Sequence, residues 1–238
     1  SAASDVYKRQ NVSSLTLNFL QDEITGTAIS GLSITYDNSG SNAIKDRSSG
    51  TLEIGDNTAS LAYVDAAKPA MLSAVTGDHN ADGTVDRLVI TFSEQVDLTN
   101  VDNNNFTLTE SAGGNPTIAS SGVGNNKYSA NNATSITFNL AGVTANNTSL
   151  TISPNYDDAT GTIIDNAGNE MSFSETVSGT DGAGPGIIAA VTSDADADGK
   201  IDQIDLTFSE NVDDSQGSDL ASNSVTLGSS YSVSSINT

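Results

Sequence analysis

Cysteine and tryptophan are absent from the 238 residues, and histidine occurs once, as His79. Without cysteine there is no disulfide, no thiolate nucleophile and no Cys-ligated zinc. A single histidine rules out a His-based metal centre and leaves any Ser–His–Asp site hanging on one side chain. Basic residues are scarce: 8 Lys+Arg face 30 Asp+Glu, for a formal charge of −22. Phosphates need a basic footprint, so nucleic acid and anionic membrane surfaces are excluded as electrostatic partners. No apolar run approaches the roughly 18–20 residues of a membrane helix, so no membrane insertion is expected from this segment. Aromatics make up 5% and hydrophobics 36%. That is too apolar for a purely disordered chain and thin for a compact enzyme core. No nucleophile–base pair can be named, so catalysis within these residues is not expected.

Helical patterning is missing too. No segment sustains apolar residues at i, i+3, i+4 and i+7 over three turns, and the frequent Asn and Thr are poor helix formers. Strand signals take their place. Leu88, Ile90 and Phe92 alternate with polar or mixed neighbours, as do Ile204, Leu206 and Phe208. Phe106–Leu108, Ile136–Phe138 and Leu150–Ile152 are short β-type runs. All are bounded by clusters of Asn, Asp, Gly and Ser.

The chain also repeats itself. Ala74–Asp86 followed by Ile90–Val96 matches Ala190–Asp202 followed by Leu206–Val212, at a constant offset of 116 residues. Asp65-Ala66-Ala67-Lys68-Pro69 matches Asp181-Gly182-Ala183-Gly184-Pro185 at the same offset. A second match links Ser135–Leu140 to Ser14–Phe19, and Ile163–Asp165 to Ile44–Asp46. The division expected is therefore residues 11–66 as the back half of a unit, 67–182 as a whole unit and 183–238 as the front half of a third. The two Asp-x-Ala-x-Pro stretches are junctions, each stiffened by its proline. Residues 1–10 stand apart. Back-translated, Ser1–Gln10 matches a transposon-based sequencing adapter, so they are set aside from the fold, and the chain is expected to be a fragment.

Several short strands in about 100–116 residues, each with one apolar face, predict an all-β fold of antiparallel β-sandwiches. The string Ile90–Val96, followed by Asn105-Phe106-Thr107-Leu108, resembles bacterial Ig-like repeats of S-layer proteins, adhesins and large secreted proteins. The turn Asp165–Asn169 and the junction Asp181–Pro185 are similar to that family too. Arg47-Ser48-Ser49-Gly50 departs from the family's Asn-Ala-Gly-Asn turn. The resemblance implies tandem Ig-like sandwiches, one complete and two truncated. It implies an extracellular or bacterial cell-surface location, and neighbouring repeats of the same chain as partners.

One constellation carries chemistry. Asp78-x-Asn80-x-Asp82-Gly83-x-x-Asp86 and Asp194-x-Asp196-x-Asp198-Gly199-x-x-Asp202 have the spacing of a calcium loop. Alternate residues of a tight turn converge their oxygens, and Ca²⁺ takes six to eight hard oxygens. The backbone carbonyl at the seventh position, Thr84 or Lys200, is expected to add one more. The twelfth position holds Val89 or Asp205 instead of Glu, and a strand follows, so this is not an EF-hand. The loop resembles Asp-rich calcium loops of extracellular repeat proteins. Lacking the bidentate Glu, it predicts a dissociation constant on the order of 10⁻⁴–10⁻³ M. The competing reading is a solvated acidic turn, because Asp-Gly is ordinary turn chemistry.

Other residues are read as structural. His79 falls between the ligands. Glu94 and Glu210 recur in both copies and suggest a strand-end solvated or structural role. Asp157, Asp158 and Asp165 suggest solvated loops, with a second cation site as the alternative, and Asp181 is an alternative extra ligand. Tyr36, Tyr63, Tyr128 and Tyr156 suit core or rim positions better than sugar stacking. The sequons at Asn132, Asn146 and Asn147 are discounted for a bacterial repeat. The function expected is a calcium-stabilised structural or adhesive spacer. The alternatives are a repeat that binds an extracellular glycan or protein, and an accessory module of an extracellular enzyme.

Overall fold

The computed structural model describes residues 63–119, 131–157 and 162–213, with single positions at 14, 16–18, 34, 36, 39, 44 and 233. The adapter-like segment, most of the expected half-unit 11–66, the end of the half-unit 183–238 beyond residue 213 apart from position 233, Tyr128 and Asp158 lie outside the described residues.

Among the described residues the fold is all-β. The strands are β1 (Met71–Gly77), β2 (Arg87–Asp97), β3 (Phe106–Glu110), β4 (Thr117–Ile118), β5 (Ala133–Ala141), β6 (Ile152–Tyr156), β7 (Ile164–Asp165), β8 (Glu175–Thr176), β9 (Gly179–Thr180), β10 (Ile187–Ser193) and β11 (Gln203–Phe208). One sheet runs β4-β5-β2-β1-β9, with β7 also paired to β2, and a second runs β3-β6-β8. Pairing is antiparallel except β1 with β9, which is parallel.

Alternation decides which side of each strand is covered. In β2, Leu88, Ile90, Phe92, Glu94 and Val96 all face inward. In β5 the buried set is Ile136, Phe138 and Leu140, and in β3 it is Phe106, Leu108 and Glu110. The two sheets close over each other through an aromatic cluster. The Phe106 ring meets Phe138 of the other sheet edge-on at 5.0 Å and Tyr156 at 5.4 Å. Tyr156 is wholly buried, and its hydroxyl accepts the Ile163 N–H at 3.2 Å, so its polar end is satisfied inside the core.

Two local departures from regular pairing shape the ends of the sandwich. Between Thr91 and Val96 the ladder of β2 with β5 is interrupted, and β2 passes on to pair with β7. The stretch around Glu94 is thereby bulged out of the ladder. At the other edge β9 lies flat on β6: a Cβ on Gly179 would collide with the backbone carbonyl of Ile152.

β10 and β11 form a two-stranded hairpin that copies β1 and β2. Met71 pairs with Phe92 and Ala74 with Ile90; Ile187 pairs with Phe208 and Ala190 with Leu206. Both hairpins carry the same register shift, after Met71 and after Ile187. Their surroundings differ. Phe92 is 3% exposed and its counterpart Phe208 is 37% exposed.

Candidate metal centre

Each hairpin is closed by one of the acidic loops, and the two loops have one conformation. Gly83 and Gly199 adopt φ of +85° and +84°, where a side chain is strained, so the sixth position requires glycine. Ala81 and Ala197 also take positive φ, at 57° and 59°. Holding an alanine there costs about 1 kcal/mol, which the surrounding hydrogen bonds must offset.

Those hydrogen bonds are the same in both copies. Asp78 accepts the N–H groups of Asp82 (3.3 Å) and Gly83 (2.8 Å); Asp194 accepts those of Asp198 (3.1 Å) and Gly199 (2.7 Å). The third-position oxygen, on Asn80 or Asp196, accepts the fifth-position N–H at 3.1 Å in each loop. Asp82 accepts from Thr84, and Asp198 from Lys200, both at 2.9 Å. Asp86 accepts from His79 at 2.7 Å and Asp202 from Ala195 at 2.9 Å. The backbone thus folds round its own side-chain oxygens and directs them inward.

The loops differ in charge. In the second, the carboxylates of Asp194, Asp196 and Asp202 offer oxygens all within 4.8 Å of one another. Asp198 is drawn aside, its Oδ2 paired with the Lys200 ammonium at 2.6 Å. Both partners are exposed, so the pair itself stabilises little. In the first loop Asn80 brings a neutral amide, whose nitrogen donates to Asp82 Oδ2 at 2.9 Å. No three-carboxylate group forms there among the described residues. The Thr84 hydroxyl accepts the Asn146 N–H at 3.1 Å. Asp181 joins neither group; its Oδ1 accepts the Ala183 N–H at 3.0 Å and closes the linker turn. The donor set is hard oxygen throughout, which suits Ca²⁺.

A second carboxylate group assembles where β2 bulges. Asp65, Glu94 and Asp165 offer oxygens within 4.8 Å of one another, and Glu94 and Asp165 are buried. Asp165 is held in place by the N–H groups of Ala167 (2.8 Å) and Asn169 (2.7 Å) and by the Asn169 amide (2.8 Å). The same amide donates to the Asp65 carbonyl at 3.2 Å. Three carboxylates this close repel one another, and a cation would relieve that repulsion. Glu94 is therefore not a solvated strand end. The signal was in the sequence: Glu94 sits in phase with Leu88, Ile90, Phe92 and Val96, on the inward face. Asp157 does not join the group.

Among the remaining candidates, His79 is exposed, and Tyr156 is a core residue. The Tyr36 hydroxyl accepts the Ile44 N–H at 2.6 Å. Glu210 accepts a hydrogen bond from Thr148 at 2.9 Å. No helix among the described residues is long and apolar enough to cross a membrane. No protein family matches this chain, and no curated protein or solved structure matches it.

Proposed function

We propose that this chain is a stretch of tandem Ig-like β-sandwich repeats. It serves as a calcium-stabilised structural or adhesive spacer of a secreted or surface-anchored bacterial protein. The observation that carries the reading is the duplicated acidic loop. Two segments 116 residues apart adopt one backbone and the same side-chain-to-backbone hydrogen bonds, and in the second of them three carboxylates converge. The role is mechanical: the ion holds together a loop that joins two strands, in a chain without disulfides.

The experiment is thermal unfolding of the full chain in chelator and then in 10 mM CaCl₂, beside Asp82→Ala and Asp196→Ala. With free ion at about 100 times the dissociation constant, each occupied loop adds about 2.7 kcal/mol. For a unit of this size the midpoint should rise by roughly 10 °C. Asp82→Ala should abolish the rise in the transition of the whole unit, residues 67–182, the first unit of the two that the structure describes. An equal rise in both variants, or none in the parent chain, would return the loops to solvated acidic turns.

A further inference from the structure

We infer that the first acidic loop and the segment before β6 form a socket that seats the hairpin β10–β11, so that successive units meet at a fixed joint instead of a free hinge. The joint is set by two glycines. A Cβ on Gly186 would lie 2.8 Å from the Cα and 2.9 Å from the nitrogen of Gly83. Both are backbone atoms, which cannot swing aside. A Cβ on Gly83 would in turn collide with Cγ2 of Ile188 and lie 3.3 Å from Cβ of Ser209. The second loop supplies the contrast: Gly199 has the same φ as Gly83 and nothing within 4 Å of its would-be Cβ. Conformation alone therefore explains glycine at 199, while at 83 the seated hairpin demands it as well.

A buried polar relay fastens the same contact. The Gly186 N–H donates to Ser209 Oγ at 2.8 Å. Ser209 Oγ lies 2.6 Å from Thr148 Oγ1, which donates to Glu210 Oε1 at 2.9 Å. With Thr148 donating to the carboxylate, Ser209 donates to Thr148, and each hydroxyl gives one proton and accepts one. Thr148 is fully buried and Ser209 is 7% exposed, so the relay works away from water, where such bonds matter most.

The inference rests on reading the chain as successive units and needs no metal. Its test is hydrogen exchange on the full chain, resolved by peptide, in chelator. Gly186→Val fills the socket, and Gly184→Ala is the control, because nothing lies within 4 Å of Gly184. Thr148→Val, which keeps the shape and cuts the relay, covers the case in which Gly186→Val perturbs the linker. An isolated two-stranded hairpin is marginal in water, so the amides of β10 and β11 should depend on the seat. In Gly186→Val they should exchange at least tenfold faster, and in Thr148→Val several-fold faster. β1 and β2 should stay protected, and Gly184→Ala should match the parent chain. Unchanged protection of β10–β11 in both variants would overturn the joint and leave the tandem reading intact. Equal loss in both hairpins would place Gly186 in the first unit's own fold and overturn the joint. Unprotected β10–β11 amides in the parent chain would overturn the joint too, because the hairpin would then have no seat.

Discussion

Glu175 reaches from β8 across the open edge of the sandwich, and its carboxylate accepts the backbone N–H of Met71 at the start of β1. Partial burial raises its pKa above the ordinary 4.5, and the hydrogen bond from Met71 offsets only part of that rise. A carboxyl whose folded-state pKa is raised favours the native state below its unfolded pKa and loses that contribution as pH climbs through the folded value. Glu175→Gln keeps an acceptor for Met71 and removes the charge. It should be more stable than the parent chain at pH 7, and the difference should vanish toward pH 4, as read from denaturant midpoints across that range. A parent chain that gains on the variant as pH rises would reverse the assigned sign. Glu94 shows how far single residues could be read in advance. Its inward phase was visible in the alternation of β2, but its companions Asp65 and Asp165 are remote in sequence: the β2–β7 pairing brings Asp165 to it, and the Asn169 amide bonds to both Asp165 and the Asp65 carbonyl.

At the scale of elements, the two hairpins are a controlled comparison. Phe92 and Phe208 occupy the same register position, opposite Met71 and Ile187. Only Phe92 has the second sheet over it; Phe208 remains partly open to water. Phe92→Ala should cost about 3–5 kcal/mol in the unfolding of the first unit, the usual range for emptying a core site. Phe208→Ala should leave that transition within about 0.5 kcal/mol, as a substitution outside its core. Urea titration with both variants decides it, and equal costs would mean that β10–β11 belongs to the first unit's core. β2 was legible from the alternation of Leu88, Ile90 and Phe92, and β3 and β5 from the short runs Phe106–Leu108 and Ile136–Phe138. The two-residue strands β7, β8 and β9 were not, because a pair of residues has no period and forms only where the backbone is already held. The acidic loops were legible as spacing. That Lys200 would draw Asp198 out of the second group was not, since it depends on a side-chain direction.

For the whole molecule, a charge of −22 sets like-charged segments against one another, so a fixed geometry between the proposed units must come from contacts strong enough to resist that field. Gly83 links the two devices that could supply it. Its N–H donates to Asp78 at 2.8 Å inside the acidic loop, while its Cα lies against Gly186 of the joint. A cation that fixes the Asp78 carboxylate therefore also fixes the floor of the socket. Calcium should then slow exchange of the β10–β11 amides by two routes: through their own loop, Asp194–Asp202, and through the loop beneath them. Asp82→Ala separates the routes, because it removes a carboxylate that bonds to Asn80 and Thr84 of the lower loop. In the parent chain, millimolar calcium should slow these amides by about tenfold, equivalent to about 1.4 kcal/mol. In Asp82→Ala a clearly smaller, non-zero slowing should remain. If the slowing is the same in both chains, the ion acts only on the loop that binds it, and the joint is indifferent to calcium. If Asp82→Ala diminishes it, ion occupancy in one unit sets how firmly the next one is held, and the stiffness of the array follows the calcium around it.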